Sequence, residues 1–234
     1  MENADATMTV VGHLTELRSR LIKSLAALAC TVAVSYYFID TIVAFLAAPA
    51  GPLYFMRPAE AFFIYFKVAL VTGALGAAPV LLYEFWAFLV PAFTTRERSM
   101  LLLLVPSSLV LFAAGIALAY FVVLPQGLKF FMDFSSSTVQ PMISLESYLD
   151  FVIMLVLPFG FIFNLPLLLI TLAQAGLLRS PMLKKGRRYV IFLAFVASAL
   201  ITPTTDIITQ SLLALPMILL YEISLLIIRY GLKK

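Results

Sequence analysis

The chain has 234 residues, of which 63% are hydrophobic and only 12% charged, with a formal net charge of +4 and a mean hydropathy of +1.06. A water-soluble core of this length needs far less apolar sequence, which excludes a soluble enzyme with a small anchor. The apolar runs are continuous rather than alternating, which excludes a β-barrel, and no loop is long enough for a second domain, so the sequence predicts one all-α polytopic membrane domain over residues 1–234.

The N-terminus carries Glu2 and Asp5 and no basic region ahead of the first apolar run, so it does not read as a cleavable leader. From Val10 the pattern predicts an amphipathic surface helix, with Val10, Leu14, Leu17 and Leu21 on one stripe and His13, Glu16 and Arg20 on another. Glu16 and Arg20 are spaced for an i, i+4 ion pair. Span 1 is predicted over 21–38. A loop with Pro49, Gly51, Pro52 and Pro58 follows, with Phe62, Phe63, Tyr65 and Phe66 as interfacial aromatics. Span 2 is predicted over 68–90. Thr94 and Glu97 then form a capping-box pattern ahead of span 3, 101–124, and Ser147 with Asp150 repeats it for span 4, 149–178. Pro158, Gly160 and Pro166 predict a kink in span 4. A basic loop, 179–188, leads into span 5, 189–201. Its 13 residues reach only about 20 Å against a hydrocarbon thickness of about 30 Å, a mismatch that should thin the bilayer beside it or else pull its polar flanks inward. Span 6 is predicted over 207–228; helices 5 and 6 are both expected to be short.

With these six spans, thirteen of the basic residues fall on one side and only Arg57, Lys67 and Lys129 on the other. The asymmetry puts both termini in the cytosol. Five or seven spans would divide the basic set between the two sides. The same asymmetry accounts for the basic face without a nucleic-acid partner.

No enzyme constellation is present. The one histidine, His13, falls outside the predicted spans, and the single cysteine, Cys30, excludes an intrachain disulfide. Neither a metal nor a cofactor is expected. Glu84 and Glu222 fall inside apolar runs, and no lysine or arginine is predicted at the depth of either one. Each is therefore expected to be protonated, water-exposed in a cavity, paired with a group from another chain, or hydrogen-bonded between helices. Asn164 is a third polar group, near the middle of span 4, suited to an interhelical hydrogen bond or to backbone freed by Pro166. Glu97 reads most simply as a capping residue and Glu16 as the partner of Arg20. Together they are also two carboxylates on a positively charged face, an arrangement that would capture guanidinium groups.

The sequence resembles the TatC family, the polytopic receptor of twin-arginine protein translocation. The resemblance runs through His13 to Leu21 with Glu16, Arg18 and Arg20, and through Ala78 to Phe88 with Pro91, Glu97 and Arg98. It continues through Ala119 to Phe121 with Pro125, and through Phe159, Gly160, Phe163 and Pro166. It ends with Thr202, Pro203, Asp206 and Gln210, then Leu213, Pro216, Tyr221 and Glu222. It implies that Glu16 and Glu97 bind the paired arginines of a signal peptide, with Arg18 shaping the site. It implies that Thr202, Asp206 and Gln210 dock a single-span partner of the TatA/TatB type, and that the protein self-associates in a multi-subunit complex. It further implies transport of folded proteins on the proton gradient across the cytoplasmic membrane of a prokaryote. Asn164 departs from the family, which usually has glutamate there. The alternative is a secondary transporter of a small solute or ion using Glu84, Asn164 and Glu222, for which the weak echo between Pro79–Glu84 and Pro216–Glu222 is poor support.

Overall fold

The structure is a computed structural model of the chain and describes residues 10–89, 98–133, 135, 142–178, 180–201 and 207–231. The first helix, α1 (Val10–Tyr37), is continuous: the amphipathic segment and the first span are one rod of 28 residues. Its sequence has no proline or glycine between Leu14 and Tyr37 to separate them. A second helix, α2 (Ile39–Ala47), leaves α1 at an angle of 76°. That helix occupies residues expected to be loop.

Span 2 begins earlier than its apolar run. The helix α3 (Pro58–Gly76) starts with proline in its first turn, and α4 (Ala78–Leu89) continues it after a one-residue interruption at Ala77. Phe62, Phe63 and Phe66, expected in a loop, are helical and face outward. Proline suits the first helical position because its missing N–H would have no partner there. Span 3 is α5 (Arg98–Leu118), a π-helical turn at Ala119–Val123, and α6 (Leu124–Met132). Pro125 lies two residues past the end of the π turn. It can donate no hydrogen bond to the preceding turn, and the wider turn absorbs the mismatch.

Span 4 divides into α7 (Leu145–Ile162) and α8 (Leu165–Gln174), with the expected break at Phe163–Asn164. The cap of α7 is Ser144, whose Oγ accepts from the Ser147 N–H at 3.4 Å. The expected Ser147/Asp150 box does not form; Asp150 instead accepts from Lys67 Nζ at 2.6 Å. Gly176, with φ of 79°, ends α8 in a left-handed turn that a side chain would strain. The last two helices are α9 (Ser180–Ile201) and α10 (Ile207–Leu226), closed by a π turn at Ile227–Gly231. The basic stretch 180–188 is therefore the first half of α9, not a loop.

Among the described residues, four segments are long and apolar enough to cross a bilayer: Pro58–Gly76, Leu103–Met132, Leu145–Gln174 and Gln210–Tyr230. The bent pair α1 and α2 passes the same length and hydropathy criteria when its two helices are taken together. The helix α9, whose first half is basic, is not among them. Span 6 is not short: its apolar helix from Gln210 reaches 21 residues.

Three apolar clusters join these rods. The largest packs Val43, Ile64, Val68, Leu124, Leu149 and Phe159, drawn from α2, α3, α6 and α7. A second joins α4 and α5 through Leu82, Trp86 and Phe112. A third holds α8, α9 and α10 together through Ala173, Leu183, Tyr221 and Leu225. Close approach depends on glycine: a Cβ at Gly73 of α3 would lie 2.5 Å from Val32 Cγ2 and 2.6 Å from Val32 Cα of α1. Backbones that near are characteristic of membrane helices, which associate by packing rather than by leaving water.

Candidate functional site

The helix α1 carries Glu16, Arg18 and Arg20 on its second and third turns. The i, i+4 spacing brings Arg20 Nη2 to 2.5 Å and Nε to 3.0 Å from Glu16 Oε1. Both donors converge on one oxygen. The third edge of the guanidinium turns away: Nη1 donates to Glu84 Oε2 at 2.9 Å. Among the described residues, Glu16 Oε2 is buried and accepts no hydrogen bond. Glu84 is the more buried of the two acids, with its side chain 8% exposed against 19% for Glu16.

The expectation that Glu84 lacks a basic partner in its own chain is thus corrected. Its source lies in where span 1 was started. With α1 continuous from Val10, Arg20 belongs to the spanning rod and its flexible side chain reaches across to α4.

Glu222 is corrected in the same way. Arg187, expected in a loop, lies on α9 and donates its Nη2 to Glu222 Oε2 on α10. Beside that pair, the Tyr221 hydroxyl donates to the Leu183 carbonyl at 2.7 Å, a second tie between the same two helices.

Among the described residues, Asn164 bonds within its own segment and not between helices: its Nδ2 donates to the Gly160 carbonyl at 3.0 Å, where the helix breaks ahead of Pro166. It lines a cavity of about 270 Å³ with Leu81, Leu82, Phe85, Trp86, Phe161, Leu165 and Leu168. Two buried polar atoms of that lining, Trp86 Nε1 and Asn164 Oδ1, have no partner among the described residues. Gln210 donates from Nε2 to the Phe195 carbonyl of α9 at 2.8 Å, and Ser198 Oγ donates to the same carbonyl at 2.9 Å. Glu97, Thr202 and Asp206 lie outside the described residues, as does the Thr94/Glu97 capping pattern.

Sequence reasoning passed over one further carboxylate. Glu60, in the first turn of α3, accepts from Met56 N–H at 2.7 Å and Arg57 N–H at 3.2 Å. Its other oxygen accepts from Ser144 Oγ at 3.0 Å and Glu146 N–H at 3.1 Å. Glu60 thereby fastens the start of α3 to the start of α7. Proline at the first helical position with an acid two residues on was the available signal.

A family model described as "Sec-independent protein translocase protein (TatC)" matches residues 12–216. The chain belongs to the TatC family. It is 42% identical over 230 residues to the Sec-independent protein translocase protein TatC of Desulforapulum autotrophicum, covering 95% of this chain and 85% of that one. It is 37% identical to the chloroplastic TATC protein of Arabidopsis thaliana, over 93% of this chain and 65% of the relative. A crystal structure titled as the twin-arginine translocase receptor TatC superposes with a TM-score of 0.86 at 38% identity, over 94% of this chain and 99% of the other. The protein is therefore an all-helical, multi-pass membrane subunit of the Sec-independent, twin-arginine translocation system. It is a transport component, not an enzyme, and the alternative of a small-solute transporter is set aside.

Proposed function

We propose that this chain is the signal-peptide receptor of its translocase, and that Glu16 and Glu97 take the paired arginines of the cargo's signal peptide with Arg18 beside them. Glu16 carries the reading. Its Oε2 is a carboxylate oxygen without an acceptor role among the described residues, on a turn of α1 that leads out of the membrane. The local sum of Glu16, Glu84 and Arg20 is one negative charge in excess, on a face otherwise rich in basic residues. A guanidinium is the cation best matched to a carboxylate edge.

In this reading residues 1–234 form one six-span domain in the cytoplasmic membrane of a prokaryote, with both termini in the cytosol. Single-span subunits of the TatA/TatB type dock at Thr202, Asp206 and Gln210, copies of the chain assemble together, and folded cargo moves on the proton gradient. The names of relatives in bacteria and a chloroplast support the membrane assignment. The test is equilibrium binding of a labelled twin-arginine peptide to the purified chain in detergent. Glu16→Ala and Glu97→Ala are each expected to weaken binding about tenfold or more, from the loss of one charged hydrogen bond of roughly 1.5–3 kcal/mol. Exchanging both peptide arginines for lysine should weaken it further. Equal affinity across these variants would overturn the assignment.

A further inference from the structure

An arginine set against a carboxylate ordinarily spreads two N–H groups over both oxygens. Arg20 does not do this to Glu16. Its Nε and Nη2 both point at Oε1, at 3.0 and 2.5 Å, while Nη1 is drawn to Glu84 Oε2 at 2.9 Å. The result is a carboxylate with one oxygen doubly donated to and the other, Oε2, left without a donor among the described residues. Glu84 lies 64 positions away in sequence on a different helix, so the spacing of α1 alone does not explain this geometry.

We infer that Arg20 is a positioning residue for signal-peptide recognition, an internal guanidinium that Glu84 restrains so that it covers only one oxygen of Glu16 and leaves Oε2, buried in this arrangement, with an unmet need for a donor that the peptide supplies on entering. The inference rests on the reading of Glu16 as a peptide-binding residue. Arg20 is chemically the same group as the ligand and lies in covalent reach of the site, so its local concentration exceeds that of any peptide arginine. Unrestrained, it would close over both oxygens of Glu16 and exclude the ligand. Held by Glu84, it instead fixes the plane of the carboxylate and lowers the cost of carrying two acids side by side. Glu84 is then a counter-anchor acting through Arg20, with no contact to the peptide.

This gives a sign pattern that a purely structural ion pair would not produce. Glu84→Leu removes the restraint and lets Arg20 cover Glu16, so affinity for a labelled twin-arginine peptide should fall about tenfold. Adding Arg20→Gln to Glu84→Leu uncovers Glu16 again, and affinity should return to within about twofold of the parent. Glu84→Gln, which keeps a weaker acceptor and the side-chain volume, should show a smaller loss in the same direction and serves if the leucine variant folds poorly. The inference is overturned if the Glu84 variants bind as the parent does, or if the double variant binds no better than Glu84→Leu. Failure of the underlying reading looks different: there Glu16→Ala itself leaves binding unchanged.

Discussion

Arg20 lies between two carboxylates, Glu16 and Glu84, whereas Arg187 faces one, Glu222. The two arginines differ in surroundings as well as in number of partners. The Arg20 side chain is 20% exposed and its partner Glu84 8%, while Arg187 is 51% and Glu222 26% exposed. The first group is enclosed by α1 and α4 and carries an excess negative charge. The second is a neutral pair on the surface of α9 and α10. An enclosed cluster with unbalanced charge is suited to receive a cation, and an open balanced pair is suited to fasten two helices without attracting one.

The largest expected effect comes from breaking the enclosed cluster. Arg20→Met leaves Glu84 buried with no opposing charge, which should cost roughly 3–5 kcal/mol. Thermal unfolding in detergent measures this, and most of the loss should return when Glu84→Leu is added, because the stranded charge is then gone. A comparable loss in the double variant would mean that Arg20 stabilises by packing alone.

Glu60, at the start of α3, sharpens the contrast. It is as buried as Glu84, yet among the described residues no arginine side chain pairs with it; four hydrogen bonds, from three backbone N–H groups and one hydroxyl, hold the carboxylate instead. Glu60→Ala should cost roughly 2–3 kcal/mol of stability, less than the four bonds summed, since several donors can turn to water. Its effect on peptide affinity should be negligible, which separates an acid used for anchorage from one used for recognition.

The rods themselves were legible in the sequence because each membrane span is a continuous apolar run, and the break in span 4 was legible from Pro158, Gly160 and Pro166. What the sequence hid were the ends. Charged and aromatic residues continue the helices past the apolar runs, so the pattern puts Arg20 on a separate surface helix and Arg187 in a loop, while they belong to α1 and α9. That displacement concealed the partners of Glu84 and Glu222. The helix α2 was hidden for a related reason: Ile39–Ala47 is too short for a span and is followed closely by Pro49, Gly51 and Pro52. Two tyrosine hydroxyls hold its end, Tyr120 on the Phe45 carbonyl at 2.6 Å and Tyr148 on the Leu46 carbonyl at 2.7 Å. Contacts between residues 75 and 102 positions apart do not show in local pattern.

The smallest effect belongs to the open pair. Glu222→Gln removes its charge while keeping a hydrogen-bond acceptor for Arg187, so stability should fall by no more than about 1 kcal/mol. Salt distinguishes it from the enclosed cluster. At about 1 M salt the screening length shrinks to roughly 3 Å, and an exposed pair loses most of its attraction while a buried one keeps it. The difference between parent and Glu222→Gln should therefore vanish as salt rises from 0.1 to 1 M, while the difference between parent and Arg20→Met persists. If the Glu222→Gln difference survives high salt, lipid and not water surrounds the pair. The two arginines would then differ only in how many carboxylates they hold, and the proposed preference of a cationic peptide for the Arg20 cluster would rest on charge imbalance alone.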